Sequence, residues 1–272
     1  MTQTDKARRF RALHDRKGTF VIPNPWDIGS ARVLAALGFE ALATTSLGMA
    51  TSLGRRDGAV SREEALAHCR AIAGATELPV SADLENCFGD DPATAAETIR
   101  LAAATGIAGG SIEDASADPK HPIYDFGLAV ERVAAAVEAA RALPFPFTLT
   151  ARAENFLRGR PDLDDTIRRL QAFEKAGADV LYAPFLPDLA AIKTVCAAVS
   201  KPVNVLAGRP QLSVAELEAA GVKRISLGGL LSRVALGAFL RAAREIKERG
   251  TFTFAKDAAA TSDLSGMMDG GS

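Results

Sequence analysis

The sequence predicts an α/β protein, a (β/α)8 (TIM) barrel in a single domain, and three observations point to it. Short apolar or β-branched runs alternate eight times with longer Ala-, Leu-, Glu- and Arg-rich segments of helical period. Glycine stands just past a helical segment and just before an apolar run at Gly38, Gly106, Gly177 and Gly221, as helix C-caps feeding buried strands do. A length of 272 residues suits a closed barrel, which commonly takes about 250. A doubly wound open sheet is the structural alternative.

The strand-like runs are residues 20–22, 41–45, 79–83, 110–114, 147–152, 180–183, 202–206 and 224–228. Helices are expected to start near Ile28, Ser61, Pro92, Gly127, Asp162, Asp188, Ser213 and Leu230. Ser61 with Glu64 reads as a capping box, and Asp91 before Pro92 as an N-cap with proline where its missing donor costs nothing. Short connections between alternating elements imply parallel strands joined by right-handed crossovers. The division expected is a barrel catalytic domain over residues 1–257 and a flexible C-terminal tail over 258–272, which is short, polar and glycine-rich.

Thirty-two basic against 33 acidic residues leave no field to hold a polyanion, so nucleic acid is a poor partner. The three cysteines, Cys69, Cys87 and Cys196, are widely spaced and odd in number, which argues against a disulfide framework or a zinc cluster and for a reduced, cytoplasmic setting. No apolar stretch reaches the roughly 18 residues of a membrane span. The N-terminal residues lack the apolar core of a secretory signal.

Barrel chemistry sits at the C-terminal ends of the strands. There the sequence offers Thr44, Thr45 and Ser46, then Asp57, then Asp83 and Glu85, then Glu113 and Asp114, then Arg152 and Glu154. Asp83 and Glu85 lie two apart, a spacing that shares a face within a strand, with Glu113 arriving from the next strand. Three converging carboxylates repel one another unless a cation or shared protons intervene, and an all-oxygen set suits a hard ion such as magnesium. Each acid alone reads equally well as a helix cap or an ion-pair partner. Arg152, amid apolar residues, reads as a salt-bridge partner of Glu113 or Glu154 and as a fork for a substrate carboxylate, two roles that need not exclude each other. Trp26 and Cys87 read as packing residues. Gly228 and Gly229 after the last strand are a weak phosphate-cradle signal.

Residues 23–27 with 30–32, 44–48, 53–57, 83–89, 112–114 and 151–154, in that order, resemble the isocitrate lyase/phosphoenolpyruvate mutase superfamily, in particular its methylisocitrate lyase-like, 2-oxo acid-using branch. The resemblance runs from about Phe20 to Phe239. It implies magnesium, or manganese in its place, bound directly by Asp83 and mainly through water by Glu85 and Glu113. It further implies that Asp57 orders those waters, that Arg152 grips the substrate carboxylate, and that the amides of Ser46 and Leu47, with Thr45 nearby, receive a developing oxyanion. It also implies a homotetramer in which the last helix is exchanged between neighbours.

Two departures bear on the reaction. The family's Asp-x-Asp-x-Gly reads Asp83-Leu84-Glu85-Asn86-Cys87 here, and residues 115–124 lack the cysteine that serves as general acid in isocitrate and methylisocitrate lyases. His121 or Tyr124 could supply a proton there, and each reads equally well as an exposed loop residue without a catalytic role. The function expected is magnesium-dependent C–C cleavage, by decarboxylation or retro-aldol reaction, of a small 2-oxo or 2-hydroxy dicarboxylic acid through a pyruvate-like enolate. The alternatives are C–P chemistry on phosphonopyruvate and a non-catalytic 2-oxo acid-binding protein.

Overall fold

A computed structural model describes residues 1–208 and 211–269. Its eight strands are β1 (Phe20–Ile22), β2 (Leu42–Ala43), β3 (Val80–Asp83), β4 (Gly109–Glu113), β5 (Thr148–Arg152), β6 (Val180–Tyr182), β7 (Val203–Leu206) and β8 (Arg224–Ser226). Each pairs in parallel with its neighbours in the order β1-β8-β7-β6-β5-β4-β3-β2. The remaining seam is bridged where Ala43 N–H donates to Pro23 C=O at 3.0 Å. All eight expected strands are present, and the open sheet is excluded.

The helices are α1 (Gln3–Asp15), α2 (Ile28–Ala36), α3 (Ser46–Ser52), α4 (Arg62–Gly74), α5 (Pro92–Ala103), α6 (Phe126–Arg141), α7 (Leu163–Ala176), α8 (Leu189–Ala198), α9 (Val214–Ala219), α10 (Leu230–Arg249) and α11 (Thr261–Asp269). The expected starts hold to within a residue, because the caps that announced them form: Ser61, Asp91, Asp162, Asp188 and Ser213 each accept from a free amide in the first turn. Gly177 closes α7 in the left-handed region at φ +104°, where a Cβ would also meet Val137 at 2.9 Å.

Three helices were not expected from the sequence. α1 begins at a Thr2/Asp5 capping box and plugs the N-terminal end of the barrel. Its Phe10 and Leu13 pack with Phe20, Ile22, Ala41 and Ala108, and His14 stands edge-on between Phe10 and Phe20. α3 opens the loop after β2, capped by Thr45. α11 forms where a flexible tail was expected: it packs on α2, and Arg32 donates to the Met268 carbonyl at 2.9 Å, while residues 270–272 of that tail lie outside the described residues.

α10 differs from the other long helices in burying only Ser232. Among the described residues no helix is long and apolar enough to cross a membrane.

The α1 plug yields a stability prediction. Phe10→Ala removes a fully buried ring and should cost about 3–5 kcal/mol in urea denaturation. A loss under about 1 kcal/mol would show that the plug contributes little.

Candidate active site

A cavity of about 480 Å³ opens at the C-terminal ends of the strands. Its wall takes Asn24 after β1, Thr45, Ser46 and Leu47 at the start of α3, Asp57, Asp83 of β3, Arg152 of β5 and Tyr182 of β6. Deeper in, Ser81, Ser111, Thr150, Asn204, Arg224 and Ser226 face it from the strands themselves. Barrel interiors are usually filled by branched apolar side chains; this one keeps a polar shaft.

Arg152 organises the mouth. It donates to Asp83 Oδ1 at 3.0 Å, Glu113 Oε2 at 3.0 Å and Glu154 Oε1 at 2.8 Å, and its guanidinium carbon lies 5.1 Å from the Tyr182 ring centre. Both sequence-level partners, Glu113 and Glu154, are engaged together, and Asp83 adds a third. Arg158 reaches the other oxygen of Glu113 at 3.3 Å. Burial opposes the Arg152 charge, yet Glu154, Glu113 and Asp83 hold its pKa well above the ordinary arginine value.

Carboxylates still outnumber cations here. Burial, then repulsion from Asp83, Glu113 and Asp57, pushes Glu85 up to about 8 against the pull of Arg152. Burial also raises Glu113 and Glu154, with Arg152 opposing in both cases. Asp57 is raised by burial, partly offset by a hydrogen bond from Ser46.

The expected convergence of Asp83, Glu85 and Glu113 needs correcting in its geometry. β3 ends at Asp83, and Glu85 sits in the left-handed region at φ +50°, so strand alternation does not aim it. A left-handed stretch does, because Cys87 and Phe88 are also at φ +62° and +60°. Such backbone costs roughly 1–2 kcal/mol per non-glycine residue, so something must hold it. The buried Arg132 does so, donating to the Gly89 carbonyl at 2.5 Å and to the Asn86 carbonyl. Glu85 and Glu113 consequently stand behind the cavity wall, where Asp83 lines it. Among the described residues no three His, Cys, Asp or Glu side chains close on one point as a metal cage. The residues fit a cation held by Asp83 at the wall with Glu85 and Glu113 behind it: the donors are hard oxygens, and Glu85 is raised first by burial and then by the neighbouring carboxylates.

The remaining sequence-level residues gather at the same wall. Thr45 accepts from Gly48 N–H at 3.3 Å as the cap of α3. Ser46 N–H is already used, donating to Asp83 Oδ2 at 3.1 Å, and so ties α3 to β3; Leu47 follows it on the wall. Cys87 is fully buried and its thiol is pushed up to about 12 by burial, in keeping with a packing role. The Gly228–Gly229 turn also lines the cavity, but Asn24 Oδ1 occupies the amides of Leu227 and Gly228 at 2.8 and 2.9 Å.

Neither proton donor considered for residues 115–124 reaches the cavity. His121 is exposed and bonded to Asp118 at 2.9 Å. Tyr124 is buried, donating to Asp90 Oδ1 at 2.6 Å and accepting from Asn86 at 3.0 Å, so it braces the Glu85 loop. Sequence reasoning missed Asn24, Tyr182, Asn204, Arg224 and Ser226. For the last four the signal was present, as polar residues at single or alternate positions of short apolar strands; Asn24 lies just past β1.

A family profile described as phosphoenolpyruvate phosphomutase matches residues 10–247. A crystal structure from Burkholderia cenocepacia J2315, provisionally named a lyase/mutase, is 59% identical, has a TM-score of 0.95 and covers 97% of this chain and 95% of that one. The 2,3-dimethylmalate lyase of Eubacterium barkeri is 29% identical over 79% of this chain and 77% of its own. A phosphonopyruvate hydrolase crystallised with oxalate and Mg++ shares the fold at a TM-score of 0.86 and 22% identity, over 99% of this chain and 95% of that one. The motif resemblance and the site geometry thus have one source: the chain belongs to the isocitrate lyase/phosphoenolpyruvate mutase superfamily.

Proposed function

We propose that this protein is a magnesium-dependent lyase that cleaves a C–C bond of a small 2-oxo or 2-hydroxy dicarboxylic acid, leaving a pyruvate-like enolate. The supporting observation is the excess of carboxylate around Arg152 at the mouth of a polar cavity. Asp83 would be the direct ligand, with Glu85 and Glu113 acting through water. When bound, magnesium supplies a Lewis acid for the keto oxygen and charge to offset the enolate. Manganese would serve the same donors.

The chain's own groups orient the reactant. Arg152 offers its planar donors to the substrate carboxylate, exchanging one of its three protein partners for it. Asp57, fixed by Ser46, faces the same wall and holds water in place. The first turn of α3 offers the Leu47 amide to the oxygen on which charge develops, and Thr45 fixes that turn; the Ser46 amide joins it only when Asp83 releases that N–H to take up the cation. With a 2-oxo diacid the electron pair of the broken bond stays on the three-carbon fragment as the enolate and carbon dioxide departs. With a 2-hydroxy diacid the hydroxyl gives up its proton to water, its oxygen becomes the keto oxygen of the 2-oxo product, and the pair leaves on the other carboxylate fragment, which takes a proton. The protein works in the cytoplasm on free small acids.

Three outcomes test this reading. With magnesium, product release from a panel of 2-oxo and 2-hydroxy diacids should exceed background, and Asp83→Ala should abolish it with circular dichroism unchanged. Phosphate release from phosphonopyruvate would move the assignment to C–P chemistry; oxalate binding without turnover of any panel member would make the protein a binder.

The pH dependence has a definite sign. Glu85 titrates near 8 in the folded state and near the ordinary glutamate value unfolded, so between those values the native state holds the extra proton. Metal-free protein should therefore lose stability as pH rises from about 5 to 8. Glu85→Gln or added magnesium should flatten that slope in thermal melts; an unchanged slope in both would contradict the charge-excess reading.

We also infer a homotetramer with α10 docked on a neighbouring subunit. Val234, Phe239 and Leu240 of that helix are 62%, 67% and 50% exposed, an apolar face a monomer would leave in water. Light scattering should give a tetramer, and a monomeric mass would count against it.

A further inference from the structure

The cavity continues below Arg152 to a second guanidinium. Arg224 lines it from β8 and is only 5% exposed. Its Nε donates to Asn204 Oδ1 at 2.8 Å and its Nη2 to Thr150 Oγ1 at 3.0 Å, while Nη1 lies 3.4 Å from His14 Nε2. All three partners are neutral, since burial and then Arg224 itself depress His14 to about 3. Among the described residues no carboxylate pairs with Arg224, in contrast to Arg152 with three. A buried cation whose only partners are neutral is costly, and burial accordingly pulls Arg224 down to about 10.

The fold connects the two guanidiniums. Glu113, Arg152, Tyr182, Asn204 and Arg224 are successive partners across β4 to β8, and the last four of them line the cavity. Arg224 reaches across to Thr150, which lies two residues before Arg152 on β5, a step of about 6.6 Å along the same face. The two guanidiniums therefore stand at different depths of one cavity, where a single ligand with two acid groups can meet both. Ser81 and Ser111 line the same cavity.

We propose that Arg224 binds the distal carboxylate of the substrate, so that a diacid stands along the barrel axis with its 2-oxo end at the mouth and its second acid group at the floor. This rests on the 2-oxo acid reading above and adds the residue that selects diacids over monoacids. Asn204 and Thr150 are positioning residues, since they hold the fork without offering it a charge. An apolar tail in place of the carboxylate leaves the cation unsatisfied, which is the physical basis of the selection.

The test is competition against oxalate, followed by thermal shift with magnesium, using oxaloacetate and 2-oxobutanoate. These share a chain length and differ in the distal group, and oxalate has none. Wild-type protein should prefer oxaloacetate by about tenfold or more. Arg224→Met should erase that preference and leave oxalate affinity within twofold. Arg224→Lys, which keeps the charge and loses the fork, should retain part of it, and is read instead if the methionine variant does not fold. Equal binding of the two ligands by wild-type protein, or a preference untouched by both variants, overturns the proposal while sparing the functional reading. Wild-type protein that binds no oxalate overturns both.

Discussion

Arg152 and the three carboxylates it bridges are the constraint on which the mouth of the barrel depends. The guanidinium fixes Asp83 of β3, Glu113 of β4 and Glu154 beyond β5 relative to one another, and it does so in a nearly dry setting where any of these charges alone would be costly. A buried ion network of this kind is poor evidence for stability and good evidence for a site, because cheaper apolar packing was available. The network is also unbalanced. Glu85 and Asp57 stand near it without a cation of their own, and both are pushed toward the neutral form.

The polar shaft beneath extends that logic. Where a barrel would ordinarily stack branched side chains, this one places Ser81, Ser111, Thr150, Asn204 and Ser226, with α1 sealing the floor from outside. Closing the floor with Phe10 and Leu13 leaves the strands free to carry hydroxyls and amides inward. The hydrophobic core that holds the barrel lies mainly between strands and helices, so function in the shaft and stability outside it are largely separate.

Much of this was legible in the sequence because its signals are local. Strand runs and capping residues announce themselves within a few positions, so the eight strands and the starts of the barrel helices followed directly. The carboxylates and Arg152 were found because strand ends are where barrels place chemistry. How they meet was not legible. Asp83 and Glu85 share a strand spacing, yet Glu85 turns into left-handed backbone held by Arg132, more than forty residues away, and no local rule predicts that. Tyr182, Asn204 and Arg224 were overlooked for the opposite reason: each is a single polar residue in a short apolar run, and its inward face is fixed only by the register of its neighbours. α1 and α11 lie outside the repeating pattern that guided the reading.

The central claim is that the surplus negative charge around Arg152 awaits a divalent cation at Asp83. Anomalous diffraction from crystals soaked with manganese and oxalate tests it most directly. A manganese peak in contact with Asp83, with Glu85 and Glu113 reached through water, is the predicted result. Oxalate bound with no manganese peak, and Arg152 still bridging Asp83 and Glu113, would contradict it.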